Sequence, residues 1–366
     1  MSEFLPASLL PHIARDLDVS VGAAGQTVTV TAAAAALSAL LISVVLPRAD
    51  RRRVMIGLTA LAVVSNVVVA LAPNLGLLLC ARVLLGIALG GFWAMATAMT
   101  AHLVPADRVG RALTVVNSGV ALATIAAIPL GALLAETWGW RGVFLLGAAI
   151  GVAALLVQAL TLPHVTPTAG NGLRALGSTL RRGIVIAGLF AVLLVFSGHF
   201  GAYTYIREAV EDLSAIAPEG FALMLLVFGI ANVLGTALSG PLADRALRVA
   251  VILFPALAGM GMLIMLLAGR SSIGLFVAAA VWGFGFGGVP TSTLSWGARA
   301  EPDRLEQIGG LIVTVCCIAI AAGGVAGGLL VDSVAPTAPL AAGGLAAIAG
   351  GALLARAGGP RRAARR

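Results

Sequence analysis

Charge is what this sequence of 366 residues has least of: 10% of its residues are charged, against about a quarter in a soluble domain. None of them is lysine, so all 23 basic residues are arginine. Hydrophobic residues make up 60% of the chain and mean hydropathy is +1.05. That balance excludes a water-soluble fold and implies an all-α polytopic membrane protein. Cysteine is nearly absent too. Cys80, Cys316 and Cys317 lie in apolar stretches with no second pair at metal spacing, so they read as core filler. Neither a metal nor a cofactor is expected. The spans hold no nucleophile–base pair, so no enzyme is expected either. A basic n-region and a long apolar h-region are both missing from the start, which argues against a signal peptide. The net charge of +8 could suggest nucleic acid, but the arginines sit in short loops between apolar runs, where they set topology instead.

What is present is a series of apolar runs, each near the 20 or so residues that cross a bilayer. Eleven are legible, at 25–46, 54–73, 76–101, 112–135, 142–162, 184–206, 220–242, 249–269, 273–297, 308–331 and 337–356. The only longer connection, 163–183, is rich in Pro, Gly and Thr and divides the chain. The two halves echo each other: "LPRADRRRVMI" matches "GPLADRALRVAV", and "VPADRVGRAL" matches "EPDRLEQIGG". Asp50 and Asp244 stand at nearly the same offset as Asp107 and Asp303, which implies a parallel duplication. A parallel repeat needs six crossings per half. The second half shows six and the first five, so the opening stub is expected to be what remains of helix 1, with "MSEFLPASLL" as its outer half. The upstream DNA is then expected to encode about 15–25 further apolar residues. Placing the loops alternately puts 18 arginines on one side and four on the other, with Arg82 inside a span. The Arg-rich side, with the C-terminus, is expected in the cytoplasm. The domains are then an N-terminal half (1–162), a cytoplasmic central loop (163–183), a C-terminal half (184–356) and an Arg-rich cytoplasmic tail (357–366).

These residues resemble the major facilitator superfamily, a transporter fold of two six-helix halves. "GPLADRALR" (240–248) resembles its loop signature G-x-x-x-D-R-x-x-R, and "PRADRRR" is a degraded twin with Leu46 at the glycine position. "ARVLLGIALGGFWAM" resembles the R-x-x-x-G motif, carried by Arg82 and Gly86. "EFLPASLL", "GQTVTVTA", "RVLLGIALGGFWAMATAM" and "GWRGVF" are similar to the purine ribonucleoside exporters of the drug:proton antiporter-1 branch. Where proton antiporters carry G-P-x-x-G-G, span 5 reads "AAIPLGALL". The resemblance implies a secondary active efflux transporter of small organic solutes. It would export purine ribonucleosides by alternating access, coupled to protons. Sugar or drug export is the alternative within the superfamily; a membrane sensor or an inactive truncated relic is the alternative outside it. The expected partners are a small-molecule solute, protons and the lipid bilayer, without nucleic acid. A monomer in a bacterial-type inner membrane is expected.

Several residues could carry transport. Arg82 is a charge inside a span, where a partner or an aqueous cavity is needed, with Gly86, Gly90 and Trp93 following on one face. It could instead snorkel to the interface. By the resemblance, Glu3 faces the central cavity as the proton-coupling partner of Arg82; otherwise it lies in water. Phe196, His199, Tyr203 and Arg207 fall at i, i+3, i+7 and i+11, an aromatic and polar stripe suited to a nucleoside or an amphipathic drug. Alternatively, His199 bonds a neighbouring helix and Arg207 anchors an outer end. Asp50–Arg51 and Asp244–Arg245 are expected to gate the cytoplasmic side, or else are plain topogenic clusters. Within apolar runs, "GFGFGG" and "GGVAGG" read as helix packing, and Trp138 and Trp140 as an aromatic belt.

Overall fold

The computed structural model describes residues 5–19, 21–165, 173–214, 218–268 and 271–357, and the described residues form helices without a strand. The elements are α1 (Leu5–Asp16), α2 (Val21–Val45), α3 (Arg51–Leu71), α4 (Leu75–Leu103), α5 (Val109–Thr161), α6 (Leu173–Leu180), α7 (Gly183–Thr204), α8 (Ile206–Leu213), α9 (Pro218–Ala268), α10 (Ser272–Ala300), α11 (Leu305–Ser333) and α12 (Ala338–Ala357). Two of them are double. The helix in α5 breaks at Gly139 (φ 68°, ψ 165°), a conformation only glycine adopts without strain. In α9 the break falls at Ala246 (φ −147°, ψ 64°), inside the charged loop signature and directly after Arg245. Among the described residues, eight helices are long and apolar enough to cross a membrane. Helices are the natural solution here, because a helix satisfies its own backbone where no water can. The connection at 163–183 carries the short helix α6. Glu3 and the tail beyond Ala357 lie outside the described residues.

The chain forms two compact units whose membership crosses the sequence. One holds residues 1–102, 122–176 and 303–317; the other holds 103–121, 177–302 and 318–366. Within the first, one core joins Leu9 and Ile13 of α1 to Val69, Leu78, Trp140 and Phe144. A second joins Ala39, Val54, Met55, Leu58, Met95 and Met99, with Val313 of α11 packed against it. Within the other unit, α7, α9, α10 and α12 bury Phe228, Met262, Met265, Leu275 and Trp282.

Close approach sets both units. A Cβ on Gly86 or Gly90 would strike the backbone of α2 at Thr31 and Ala35. On α10, a Cβ at Gly283 or Gly287 would strike the Phe228 and Asn232 carbonyls of α9. "GFGFGG" is therefore a helix-packing surface. Two expectations need correction. Trp140 is 4% exposed and packs in the first core, because Gly139 turns the chain there and folds the ring inward; only Trp138 is exposed. Cys80 is exposed rather than core filler, since it falls on the outer face of α4, flanked by buried Leu78 and Ala81.

The glycine contacts make a stability prediction. Gly90→Val should destabilise the protein in detergent by about 1–3 kcal/mol, because α2 cannot yield without repacking. Gly57→Ala should leave stability unchanged or raise it by up to about 1 kcal/mol, since nothing lies within 4 Å of that position. Thermal unfolding of the two variants side by side checks the pair; equal losses would remove the packing argument.

Candidate functional site

Arg82 is 1% exposed, so it does not snorkel. Its Nε donates to the Thr27 carbonyl of α2 at 3.3 Å, and its own carbonyl accepts from Thr31 Oγ1 at 3.4 Å. Thr27 and Thr31 are one turn apart on α2, and each hydroxyl also returns to a carbonyl of its own helix at 2.7 Å. The glycines at 86 and 90 bring α2 near enough for these bonds. Trp93 is half-buried and meets Phe92 edge-on at 5.9 Å.

The α7 stripe gathers aromatics from three helices. His199 is 3% exposed and stacks on Phe286 of α10, with ring centroids 3.3 Å apart at 7°. Tyr203 lies nearly parallel to it at 5.5 Å, Phe228 of α9 at 6.4 Å, and Trp282 edge-on at 5.7 Å. Phe196 meets Phe286 at 5.8 Å. Trp282 Nε1 donates to His199 Nδ1 at 3.1 Å, so His199 does bond a neighbouring helix. Phe228, Trp282 and Phe286 were not legible as site residues. Trp282 and Phe286 are one turn apart on α10, but the glycines between them dominate that stretch. Arg207 does not join the stripe. Helix α7 ends at Thr204, Tyr205 turns the chain (φ −109°, ψ 23°), and Arg207 lies on α8. There its guanidinium sits 4.6 Å over the Phe221 ring and 3.4 Å from Glu211.

The charged loop motifs meet distant helix starts. In the first unit Arg51 is 2% exposed and grips Glu306 at the start of α11. Nε donates to Oε1 at 2.6 Å and Nη2 to Oε2 at 2.7 Å, a bidentate pair. Nη1 donates to the Leu46 and Ala49 carbonyls at 2.7 and 3.1 Å. Asp50 caps α3, accepting from the Arg52 N–H at 2.9 Å and from the Val165 N–H at 3.3 Å. It also bonds His164 Nδ1. Arg52 Nη1 lies 2.9 Å from His164 Nε2. A guanidinium only donates, so Nε2 must accept and Nδ1 must carry the proton to Asp50. The His164 hydrogen bond, aided by those two backbone N–H groups, holds the Asp50 carboxyl below the usual carboxylate range against the cost of desolvation.

In the other unit Asp244 caps the start of α5. It accepts from the Gly110 N–H at 2.6 Å and the Arg111 N–H at 3.0 Å, where an anion also meets the positive end of the helix dipole. The Arg299 guanidinium holds the Ala243 and Asp244 carbonyls at 2.8 and 2.9 Å. Arg182 clasps Glu301, Nη1 lying 2.6 and 2.8 Å from its two oxygens. Arg245 is exposed. Glu306, Glu301 and His164 went unnoticed as site residues, because each meets its partner far away in sequence.

The Arg51 pair should behave as a buried ion pair does. Arg51→Met should cost about 3–5 kcal/mol by leaving Glu306 unpaired, and adding Glu306→Met should restore most of that loss. Thermal unfolding of both single variants and the double variant tests the coupling; simple additivity would remove it. Asp50 gives a pH prediction of the opposite reach. Its folded value is depressed, so its stabilising effect is complete above about pH 3.9 and fades as pH falls through the lower folded value. His164→Ala should move that fading to higher pH, and Asp50→Asn should abolish it. An acid titration of thermal stability reads both; identical profiles for wild type and His164→Ala would discount the hydrogen bond.

Comparison with known proteins adds to this geometry. The profile of the Major Facilitator Superfamily matches residues 1–324. The chain is 37% identical over 338 residues to the purine ribonucleoside efflux pump NepI of Shigella dysenteriae serotype 1, covering 92% of this chain and 86% of that protein. It is 37% identical over 342 residues to the NepI protein of Salmonella paratyphi B, covering 93% and 86%. In fold it is similar to the proton:xylose symporter XylE, with TM-score 0.78, 15% identity and 96% and 90% of the two chains covered. It is likewise similar to FucP in the outward conformation, with TM-score 0.76, 17% identity and 97% and 94% covered. The helices, the spacing of the charged motifs and this match over most of the sequence agree: the chain belongs to the major facilitator superfamily.

Proposed function

We propose that the protein is a secondary active exporter of purine ribonucleosides, driven by protons entering as the nucleoside leaves. The observation that carries this reading is the aromatic cluster on α7, α9 and α10, in a chain related to proteins named as purine ribonucleoside efflux pumps. A purine offers a flat π-face, and aromatic rings bind such a face with large area and defined geometry. Phe196, His199 and Tyr203 contribute to the solute site from α7. The half-exposed Tyr203, at 36%, offers a ring and a phenol to a ribose.

On this reading α5 and α9 each cross the membrane twice, and the long helices make eleven crossings. On this topology the Arg-rich loops and the C-terminus lie in the cytoplasm, and the membrane is a bacterial-type inner membrane. Two six-helix halves, 1–162 and 184–356, rock about the solute site, and the protein acts as a monomer. Arg51–Glu306 and Asp244 with the start of α5 form the cytoplasmic gate, remade in each cycle, while Asp50 shapes the loop and Arg245 lies at its rim. Glu3 carries the proton in the company of Arg82, whose position inside a span favours a coupling role.

Cells overexpressing the protein should release inosine and guanosine several-fold faster and tolerate toxic purine nucleosides better. Release unchanged from the vector control, alongside clear export of a sugar or an antibiotic, would overturn the substrate assignment while leaving the transporter class intact.

A further inference from the structure

Histidine is the side chain best suited to carry a proton near neutral pH, and His199 is buried at the centre of the proposed solute site. Its surroundings argue for a different role. The indole N–H of Trp282 can only donate, and it lies 3.1 Å from His199 Nδ1. That nitrogen must therefore offer a lone pair, and the ring's single proton must sit on Nε2. Adding a proton at Nδ1 would set two donors against each other. Nothing in the cage would compensate a cationic ring. On α7 the ring faces Phe200 and Tyr203, on α9 Phe228, and on α10 Trp282 and Phe286. Tyr203 is the only titratable group among these neighbours, and none of them carries a charge. Trp282 is also the only hydrogen-bond partner of the ring among the described residues, so the Nε2–H remains for an acceptor from elsewhere.

We propose that Trp282 is a positioning residue that locks His199 in the neutral Nε2–H tautomer, so that His199 meets the solute as an uncharged hydrogen-bond donor and takes no part in carrying the proton. This rests on the reading of the cluster as the solute site. The donor fits a class of solute with ring-nitrogen or carbonyl acceptors at the edge of a stacking plane, which purine bases have. It also separates two tasks. The solute is held by groups whose charge does not change during transport, and the coupling proton travels elsewhere. Solute affinity then stays independent of the protonation state of this ring.

Two measurements test it. The first is independent of substrate: nitrogen NMR of the full-length protein in nanodiscs, labelled at its four histidines, with His199→Gln identifying the signals. Wild-type His199 should show one tautomer, Nδ1 acceptor and Nε2 protonated, throughout about pH 5–8. Trp282→Phe should keep the aromatic area and release a second tautomer or a cationic form. A cationic wild-type ring within that range, or the Nδ1–H tautomer, would overturn the proposal. The second uses proteoliposomes with an imposed proton gradient and labelled guanosine. His199→Ala should raise KM by about three- to tenfold, the loss of one hydrogen bond. His199→Gln, which keeps a neutral donor, should recover much of that and retain uphill transport. Loss of uphill transport in His199→Gln with downhill exchange intact would make His199 a proton carrier and refute the inference. If wild type fails to move guanosine at all, the substrate reading falls, and the NMR result still decides the tautomer.

Discussion

A polar group inside hydrocarbon has no water to turn to, and the rest of this structure follows from that constraint. Hydroxyls return to carbonyls: Ser65 to Ala81 at 2.6 Å, Thr236 to Gly287 at 2.9 Å and Ser38 to Ile87 at 2.8 Å, each joining two helices. Such bonds reach only when backbones approach closely. That approach explains why glycine recurs at the crossings, as Gly287 does on the Asn232 carbonyl. Polar satisfaction and small-residue packing are thus one design. The glycines permit the distance, and the hydrogen bonds are a return for it.

At the helix ends the same constraint has been met twice with opposite charge. The repeat aligns Asp50–Arg51 with Asp244–Arg245, and Gly110 with Glu306. In one copy the loop presents a carboxylate, and the partner helix begins with a glycine whose N–H is open to it. In the other the loop presents a guanidinium, and an acid occupies the glycine's place. Either solution puts a negative group in the first turn of a helix, where the dipole favours it. The degraded signature "PRADRRR" is therefore a rewired junction, with the burden moved from aspartate to arginine. Asp50 is then free to cap its own helix and bond His164.

The sequence was informative wherever the physics is local. Apolar runs, breaks and the lone intramembrane arginine can be read from neighbours in the chain: the apolar runs lie in helices, and Arg82 is buried rather than at an interface. It was less informative where the outcome depends on one backbone angle. The i+11 position of Arg207 belongs to the α7 face only if the helix continues past Thr204, and it does not. Trp140 counts as a belt residue only if no turn intervenes, and Gly139 supplies one. Partners separated by most of the chain, such as Arg51 and Glu306, leave no local trace at all. The second echo of the repeat held the acid in plain view, but nothing nearby in sequence tells that it faces a buried guanidinium. Trp282 and Phe286 were hidden differently, among glycines whose packing role is real and drew the reading to itself.

The two histidines show how much a partner's chemistry can decide. His164 faces a guanidinium at Nε2 and a carboxylate at Nδ1, so its proton sits on Nδ1. His199 faces an indole at Nδ1, so its proton sits on Nε2. In each ring a group that can only donate makes one nitrogen the acceptor, and the two tautomers so selected are opposite. Buried acids are constrained in the complementary way. Glu306 and Glu301 each face a guanidinium, and Asp244 faces the N–H groups at a helix start. A proton added to such a carboxylate removes the charge its partner requires and leaves a buried cation or an open helix end unsatisfied. Protonation there cannot be separated from loosening the junction. A proton added at His199 Nδ1 would meet the indole donor already in place. At the acids, then, charge is tied to the hold on a helix start, while the rings around His199 carry none.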